Sequence, residues 1–219
     1  MTIRLAIVDD HPLVTGGLKA ALATIDGIEV VAHGASVAEA RELLCRDDLD
    51  VVLLDVRLQD GNSIQALAER GERERPAVLV ISSFETRQYV AAAARYGAAG
   101  FLLKTVPLSA LVDGIRAVAD GGSVFTREQL QKGMVSLSPR ERQIVRLAMD
   151  GLGNKEIATR IGASPKTVES HLTAIFERHG IKGGRIELSF RAADEGWLDI
   201  EPPTATATAA AGAGGAGRA

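Results

Sequence analysis

One cysteine, Cys45, occurs in 219 residues. An internal disulfide is therefore excluded, and a reducing compartment is the expected setting. Long apolar runs are also missing, since none approaches the roughly 20 residues that a membrane-crossing helix needs. The N-terminus is apolar for only a few residues and then acidic, which does not read as a secretion signal. No internal repeat occurs. Strong charge of one sign is absent as well, the formal net charge being -3. That total hides an asymmetry. Residues 1–121 hold 12 Lys and Arg against 17 Asp and Glu, while residues 137–200 hold 10 against 9. Any grip on nucleic acid must come from placed charges rather than from bulk positive potential. A hydrophobic fraction of 46% and a charged fraction of 24% are ordinary for a globular protein. The expectation is a soluble cytoplasmic protein with no membrane contact.

What is present begins with an alternation. Short apolar runs lie at residues 3–8, 28–32, 51–54, 77–81 and 100–103. Amphipathic stretches fall between and after them, near 13–24, 36–46, 62–70, 86–96 and 107–119. Five strands alternating with five helices predict an α/β domain with a doubly wound, five-stranded parallel sheet. The runs are continuously apolar rather than alternating, which suits strands covered on both faces. Gly97 and Gly100 punctuate the step into the last strand.

Residues 121–136 have weak periodicity and predict a linker with one helical turn. Strand signals then vanish, and four short helices are expected over residues 137–200. Ser138-Pro139 opens the first, with Glu141 at the capping-box position and Gly151 beyond its end. The second runs from Asn154 to Ile161, Gly162-Ala163 makes a turn, and Ser164-Pro165 opens a third that runs to His179. The fourth spans Arg185 to Glu195. Residues 201–219 contain only Pro, Glu, Thr, Ala, Gly and one Arg. With nothing to bury, they read as a disordered tail.

The chemistry lies at the ends of the apolar runs. Asp9 and Asp10 follow the first, Asp55 the third, Ser82 the fourth and Lys104 the fifth. In a parallel α/β sheet, functional groups collect outside the carboxyl ends of the strands. Three carboxylates, a hydroxyl and an ammonium would thus meet in one crevice. Taken singly, an aspartate after a strand more often caps the next helix, and a lysine there is more often solvated. All five together, from four strands, are hard to explain that way. Mg²⁺ prefers hard oxygen ligands, and a carboxylate can attack phosphorus to give an aspartyl phosphate. Such a transfer mainly needs positioning and neutralisation of oxygen charge.

Residues 3–120, with Asp9-Asp10-His11-Pro12-Leu13-Val14 and Gly17-Leu18, resemble the receiver domain of bacterial response regulators of the NarL/FixJ subgroup. The resemblance implies that Asp55 is the phosphoacceptor, that Asp9, Asp10, Asp55 and the Arg57 backbone carbonyl hold Mg²⁺, and that Ser82 and Lys104 receive the phosphoryl oxygens. Phe101, three residues before Lys104, matches the switch aromatic; the alternative is an ordinary core phenylalanine. Two positions depart from the family pattern. Gln59 replaces a proline, which predicts a freer loop, and Ser83 stands where a small residue is expected.

The segments Leu137–Gly151, Asn154-Lys-Glu-Ile-Ala and Ser164-Pro-Lys-Thr-Val-Glu-Ser-His-Leu resemble the LuxR-type DNA-binding domain over residues 137–197. A helix-turn-helix places its second helix in the major groove, with the N-terminal residues nearest the base edges. Val168, Leu172 and Ile175 recur at helical spacing and predict the core face. The resemblance assigns Glu169, Ser170 and Thr173 to base edges, and Lys155, Lys166, Thr167 and His171 to phosphates. Glu169 is open to two readings, acceptance from cytosine N4 or repulsion of phosphate. His171 reads as a surface histidine without a proton-linked role. Gly183-Gly184 lack a capping side chain, so the last helix is expected to fray at its start.

The domain plan is therefore a receiver over residues 1–120, a linker over 121–136, a small all-α helix-turn-helix domain over 137–200 and the tail. The implied function is a DNA-binding transcriptional regulator, phosphorylated on Asp55 by a sensor histidine kinase and acting as a homodimer on double-stranded DNA, without enzymatic turnover. Two rivals remain. One is a DNA binder that keeps its receiver only for dimerisation. The other is an aspartate-nucleophile phosphatase or phosphotransferase, which would want an acid two residues after the nucleophile, where this chain has Arg57.

Overall fold

The computed structural model of the chain describes residues 2–71, 73–83, 86–131, 135 and 137–198. The chain divides into two compact units, which are taken in turn. No helix among the described residues is long and apolar enough to cross a membrane.

The first unit runs β1 (Ile3–Val8), α1 (Pro12–Leu22), β2 (Ile28–Gly34), α2 (Val37–Leu44) and β3 (Val51–Asp55). Two-residue strands β4 (Arg57–Leu58) and β5 (Gly61–Asn62) follow, then α3 (Ile64–Glu69) and β6 (Ala77–Ser82). Helix α4 (Arg87–Arg95), strand β7 (Gly100–Leu103) and helix α5 (Leu108–Ala119) complete it. The five longer strands form the expected parallel sheet, in the order β2-β1-β3-β6-β7. Val51 to Leu54 are fully buried, which is why that strand carries no polar alternation. Leu5, Ile7, Leu53, Leu79 and Ile81 share a core with Leu111, Val112 and Ile115 of α5. The chain reverses its direction of winding between β1 and β3, so the crevice at their carboxyl ends is the topological switch point.

The loop after β3 is not slack, contrary to the freedom expected from Gln59. Arg57 pairs with Asn62 and Leu58 with Gly61 in an antiparallel ladder. Both Asp60 carboxylate oxygens lie 3.0 Å from the Val37 backbone N–H, one of the otherwise unpaired donors at the start of α2. The Ser63 hydroxyl donates to the Asp55 carbonyl, and Asn62 Oδ1 accepts from the Ile64 N–H at 2.9 Å. A short hairpin and a cap across 23 residues of sequence do what a proline ring would do by covalent restraint.

The stretch expected to be a linker starts as packed structure. The Val124 N–H donates to the Ala99 carbonyl at 3.0 Å. A side chain at Gly100 would meet Val124 Cγ2 at 1.9 Å, so only glycine leaves room there. The single turn of helix follows as α6 (Arg127–Gln131).

The second unit consists of α7 (Pro139–Met149), α8 (Asn154–Ile161), α9 (Pro165–His179) and α10 (Gly184–Asp194). Ser138 and Glu141 form the expected capping box. The Ser164 hydroxyl accepts from the Thr167 N–H at 3.0 Å and starts α9. Gly162, at φ 64°, adopts the left-handed conformation that ends α8. Val168, Leu172 and Ile175 are buried as their spacing predicted. The start of α10 is not frayed: the Glu187 carboxylate reaches back to accept from the Lys182 and Gly183 N–H groups at 2.9 and 2.6 Å. This internal cap replaces the missing polar side chain. The expected tail, residues 201–219, lies outside the described residues.

Glu141 ties this unit together. Its side chain, 8% exposed, caps α7 and receives Arg178 of α9 at 2.8 Å. Burial acts to raise its pKa, but hydrogen bonds from Arg178 and Ser138 outweigh that and hold it below the usual value. A depressed carboxyl pKa stabilises the fold above the unfolded value of about 4.3 and loses that contribution as pH falls through the folded value. Glu141→Ala should cost about 1–2 kcal/mol near neutral pH, mostly through the lost cap, since half-exposed Arg178 adds little. The loss should shrink as pH falls below about 4.3. Trp197, the sole and fully buried tryptophan, reports unfolding of this unit by its fluorescence in urea.

Candidate functional site

The crevice at the switch point assembles from strand ends. Asp9 follows β1, Asp55 ends β3, Ser82 ends β6, and Lys104 follows β7. All four are brought to one end of the sheet by its parallel register, in which Asp55 lies opposite Ile81 and Ser82 opposite Leu103. The Lys104 N–H donates to the Ser82 carbonyl at 2.8 Å, which continues the ladder past β7 and fixes where the lysine side chain leaves the sheet.

Lys104 Nζ lies 2.7 Å from Asp9 Oδ2 and 2.6 Å from Asp55 Oδ2. Its side chain is 13% exposed, and those of Asp9 and Asp55 are 0% and 5% exposed. Burial pushes the Asp55 carboxyl above its usual pKa, against the opposing pull of Lys104. For Lys104, burial acts to lower the pKa, but its hydrogen bonds to Asp55 and Asp9 overcome that and raise the value. One ammonium thus faces two carboxylates, and Asp10 adds a third with an 8% exposed side chain. Ionised, the four groups leave an excess of negative charge in a largely buried crevice, which a cation would neutralise.

The donor set fits a divalent metal. Ligand atoms of Asp9, Asp10, His11 and Asp55 all lie within 4.8 Å of one another. Asp10 Oδ1 is shielded from solvent, and its near neighbour is His11 Nδ1 at 2.8 Å.

Arg57 sits beside the crevice, but its guanidinium points to α4. Its Nε donates to the Tyr89 hydroxyl at 2.8 Å, and the guanidinium carbon lies 5.6 Å from the ring centre. Ser82 is 2% exposed and Phe101 1% exposed. Three neighbours went unassigned in the sequence. Thr15 donates to the Asp9 carbonyl at 3.2 Å, Ser63 holds the Asp55 carbonyl, and His11 lies against both leading aspartates. Only His11 carried a legible signal, its position directly after the acidic pair.

In the helical unit, α9 exposes Lys166, Thr167, Glu169, Ser170 and Thr173, while His171 is half-buried. Lys155 is exposed on α8. A recess of about 410 Å³ is lined by Ser164, Lys166, Thr167, Ser170 and His171. The Thr167 hydroxyl lies 2.8 Å from the Ser164 hydroxyl, and the Ser170 hydroxyl donates to the Lys166 carbonyl at 3.0 Å. Each hydroxyl is thereby held in place with acceptor capacity left over. The positive end of the α9 dipole opens at the same recess, a favourable place for an anion. Arg185, from α10, donates to the Leu152 carbonyl and to Asn154 Oδ1, and so fixes the start of α8.

Comparison with known proteins agrees with both halves. The model of the response regulator receiver domain matches residues 5–116, and that of the bacterial regulatory proteins of the luxR family matches residues 135–185. The transcriptional regulatory protein MctR of Rhizobium johnstonii is 36% identical over 82% of this chain and 88% of its own. The crystal structure of ChrA, a response regulator of a heme-sensing two-component system, is 29% identical with a TM-score of 0.52, covering 90% of this chain and 98% of its own. RcsB of Salmonella typhimurium shares the fold at 24% identity and a TM-score of 0.64, over 88% of this chain and all of its own. The sheet unit is a receiver, the helical unit is a LuxR-type DNA-binding domain, and the chain belongs to the response regulators, as a DNA-binding transcriptional regulator of a two-component system.

Proposed function

We propose that a histidine kinase donates its phosphoryl group to Asp55, and that the phosphorylated receiver licenses DNA binding by α9. The observation that carries this reading is Lys104 Nζ set between Asp9 and Asp55 in a buried crevice. Attack by the Asp55 carboxylate on phosphorus breaks the N–P bond of a phosphohistidine and leaves the electron pair on the imidazole. A Mg²⁺ ion held by Asp9, Asp10, Asp55 and the Arg57 carbonyl would supply charge neutralisation at the transferring oxygens.

The protein's own groups do the rest. Asp55 gains charge on becoming an acyl phosphate, and Lys104 follows that charge away from Asp9. The Ser82 hydroxyl donates to a phosphoryl oxygen, and buried Phe101 holds the inward position that this movement permits. The switch is a two-state surface biased by one local charge. Arg57 engages Tyr89 rather than the crevice, so the place where a phosphatase needs an acid holds a tethered cation. This favours a stable product on Asp55 over turnover.

On DNA, the first turns of α9 enter the major groove. Glu169, Ser170 and Thr173 face base edges, while Lys155, Lys166, Thr167 and His171 face phosphates. A near-neutral domain gains affinity when two linked copies bind adjacent half-sites, by effective concentration. RcsB, which shares this fold, is known as dimers bound to DNA, and the same homodimeric arrangement is part of this reading. Work on chromosomal DNA places the protein in the cytoplasm.

Label transfer from radioactive acetyl phosphate tests the acceptor. Wild-type protein should take up label in the presence of Mg²⁺, and Asp55→Asn should take up none; a labelled variant contradicts the assignment. On DNA, Lys166→Ala should weaken binding to every sequence and lower the salt slope of affinity by about one. Glu169→Gln should instead change preference at one base pair, by about 1–3 kcal/mol. Selection from a randomised DNA pool, with salt titrations on the winners, separates the two effects.

A further inference from the structure

His179, the last residue of α9, carries a polar atom that nothing satisfies. Its Nε2 is closed to solvent and has no hydrogen-bond partner among the described residues. The imidazole lies against Trp197, with ring centres 4.7 Å apart and planes tilted by 49°. Trp197 is itself fully buried in the core of the helical unit. Two arginines hold this packing from other helices. Arg191 of α10 donates to the His179 carbonyl at 2.8 Å, and its guanidinium carbon lies 5.7 Å from the Trp197 ring centre. Arg142 of α7 donates to the Trp197 and Leu198 carbonyls at 3.1 and 2.9 Å.

The surroundings suit a neutral ring and oppose a charged one. A neutral imidazole has one N–H, whereas an imidazolium carries a donor on both nitrogens. A proton added to His179 therefore sets a buried N–H, or a buried charge, where no acceptor waits. The charged groups nearest the ring are mostly cations: Arg178 beside it, Arg191 on α10, and Arg87 from the 86–88 segment that groups with this unit. Burial first, and then these arginines, hold the imidazole below its usual pKa, against the opposing pull of Glu195. Both Glu195 oxygens are already engaged, Oε1 by Arg191 Nε at 2.9 Å and Oε2 by Trp197 Nε1 at 2.8 Å. An imidazolium must either draw Glu195 away from Trp197 or turn out to water. Each course undoes the Trp197 packing.

We propose that the His179–Trp197 contact is an acid-released latch in the DNA-binding unit, closed while the imidazole is neutral and opened by one proton. Opening frees residues 196–198 from α7 and loosens the end of α10 from the end of α9. A weaker grip on DNA in mild acid follows, and that consequence alone rests on the reading of α9 as the groove helix. The sign is set by the preference of the fold for the neutral ring. The unfolded chain takes the proton more readily, so the stability is complete above the unfolded value of about 6.5 and declines as pH falls below it.

Trp197, the sole tryptophan, reads the latch in the full chain. Between about pH 7.5 and pH 5.5, the range in which an imidazole changes charge, its emission should move to longer wavelength and its urea midpoint should fall. His179→Leu should show neither change, and His179→Gln serves the same purpose should the leucine variant not fold. An unmoved emission in the wild-type chain overturns the proposal, as does a shift that persists in the variants. Proton NMR of the wild-type chain gives a reading that needs no variant. One of the four histidines should titrate below the rest, and the Trp197 Nε1 proton should move in the same step; a Trp197 signal that ignores that step contradicts the latch. Affinity for a duplex selected from the randomised pool should fall at least about threefold more over this pH range in wild type than in His179→Leu. An equal fall overturns the link to DNA.

Discussion

Lys104 sits where two carboxylates would otherwise repel each other in a space largely closed to water. Its Nζ lies within 2.7 Å of Asp9 and within 2.6 Å of Asp55, and its own charge is sustained by them against the effect of burial. Removing one member of such a group leaves uncompensated charge behind, which costs more than the contact itself contributes. The arrangement is therefore held in common: the ladder bond from Lys104 to Ser82 aims the ammonium, and the two aspartates keep it there. Because two carboxylates share one lysine and a third, Asp10, lies beside them, the balance is also easily altered. A phosphoryl group on Asp55 or a cation among the aspartates changes which oxygen Lys104 faces.

The elements around the crevice convert a local charge into structure. The loop after Asp55 is fastened at several points, through Ser63 to the Asp55 carbonyl, through Asp60 to the start of α2, and through Arg57 to Tyr89 on α4. A rigid loop transmits displacement where a slack one would absorb it. Arg57 is the most exposed of these fastenings to events at Asp55, being two residues away and positively charged. Its bond to Tyr89 links the phosphoacceptor loop to α4 by a short chain of groups.

Much of this was legible in the chain. Continuous apolar runs located the five long strands because both faces of the sheet are covered, and serine-proline pairs located the starts of α7 and α9. Asp9, Asp10, Asp55, Ser82 and Lys104 were legible because strand ends in a parallel sheet converge. The β4–β5 hairpin was not, since its restraint comes from Asp60 reaching back to Val37 and no local propensity encodes that contact. The docking of Val124 beside Gly100 was hidden for the same reason: a glycine that signals punctuation in sequence is here a cleared space for a distant side chain. Glu187, capping α10 from its own first turn, was masked by the two glycines before it.

The claim on which the account turns is that phosphate on Asp55 sets the affinity of α9 for DNA. Capture of genomic fragments by the full chain, with and without acetyl phosphate and Mg²⁺, and in parallel by Asp55→Asn, measures that dependence most directly. The account predicts that phosphodonor raises recovery of a defined set of sites by about tenfold, within the usual range of coupling between sites, and that Asp55→Asn shows no such rise. Equal recovery from fully phosphorylated and unphosphorylated wild-type protein would contradict it.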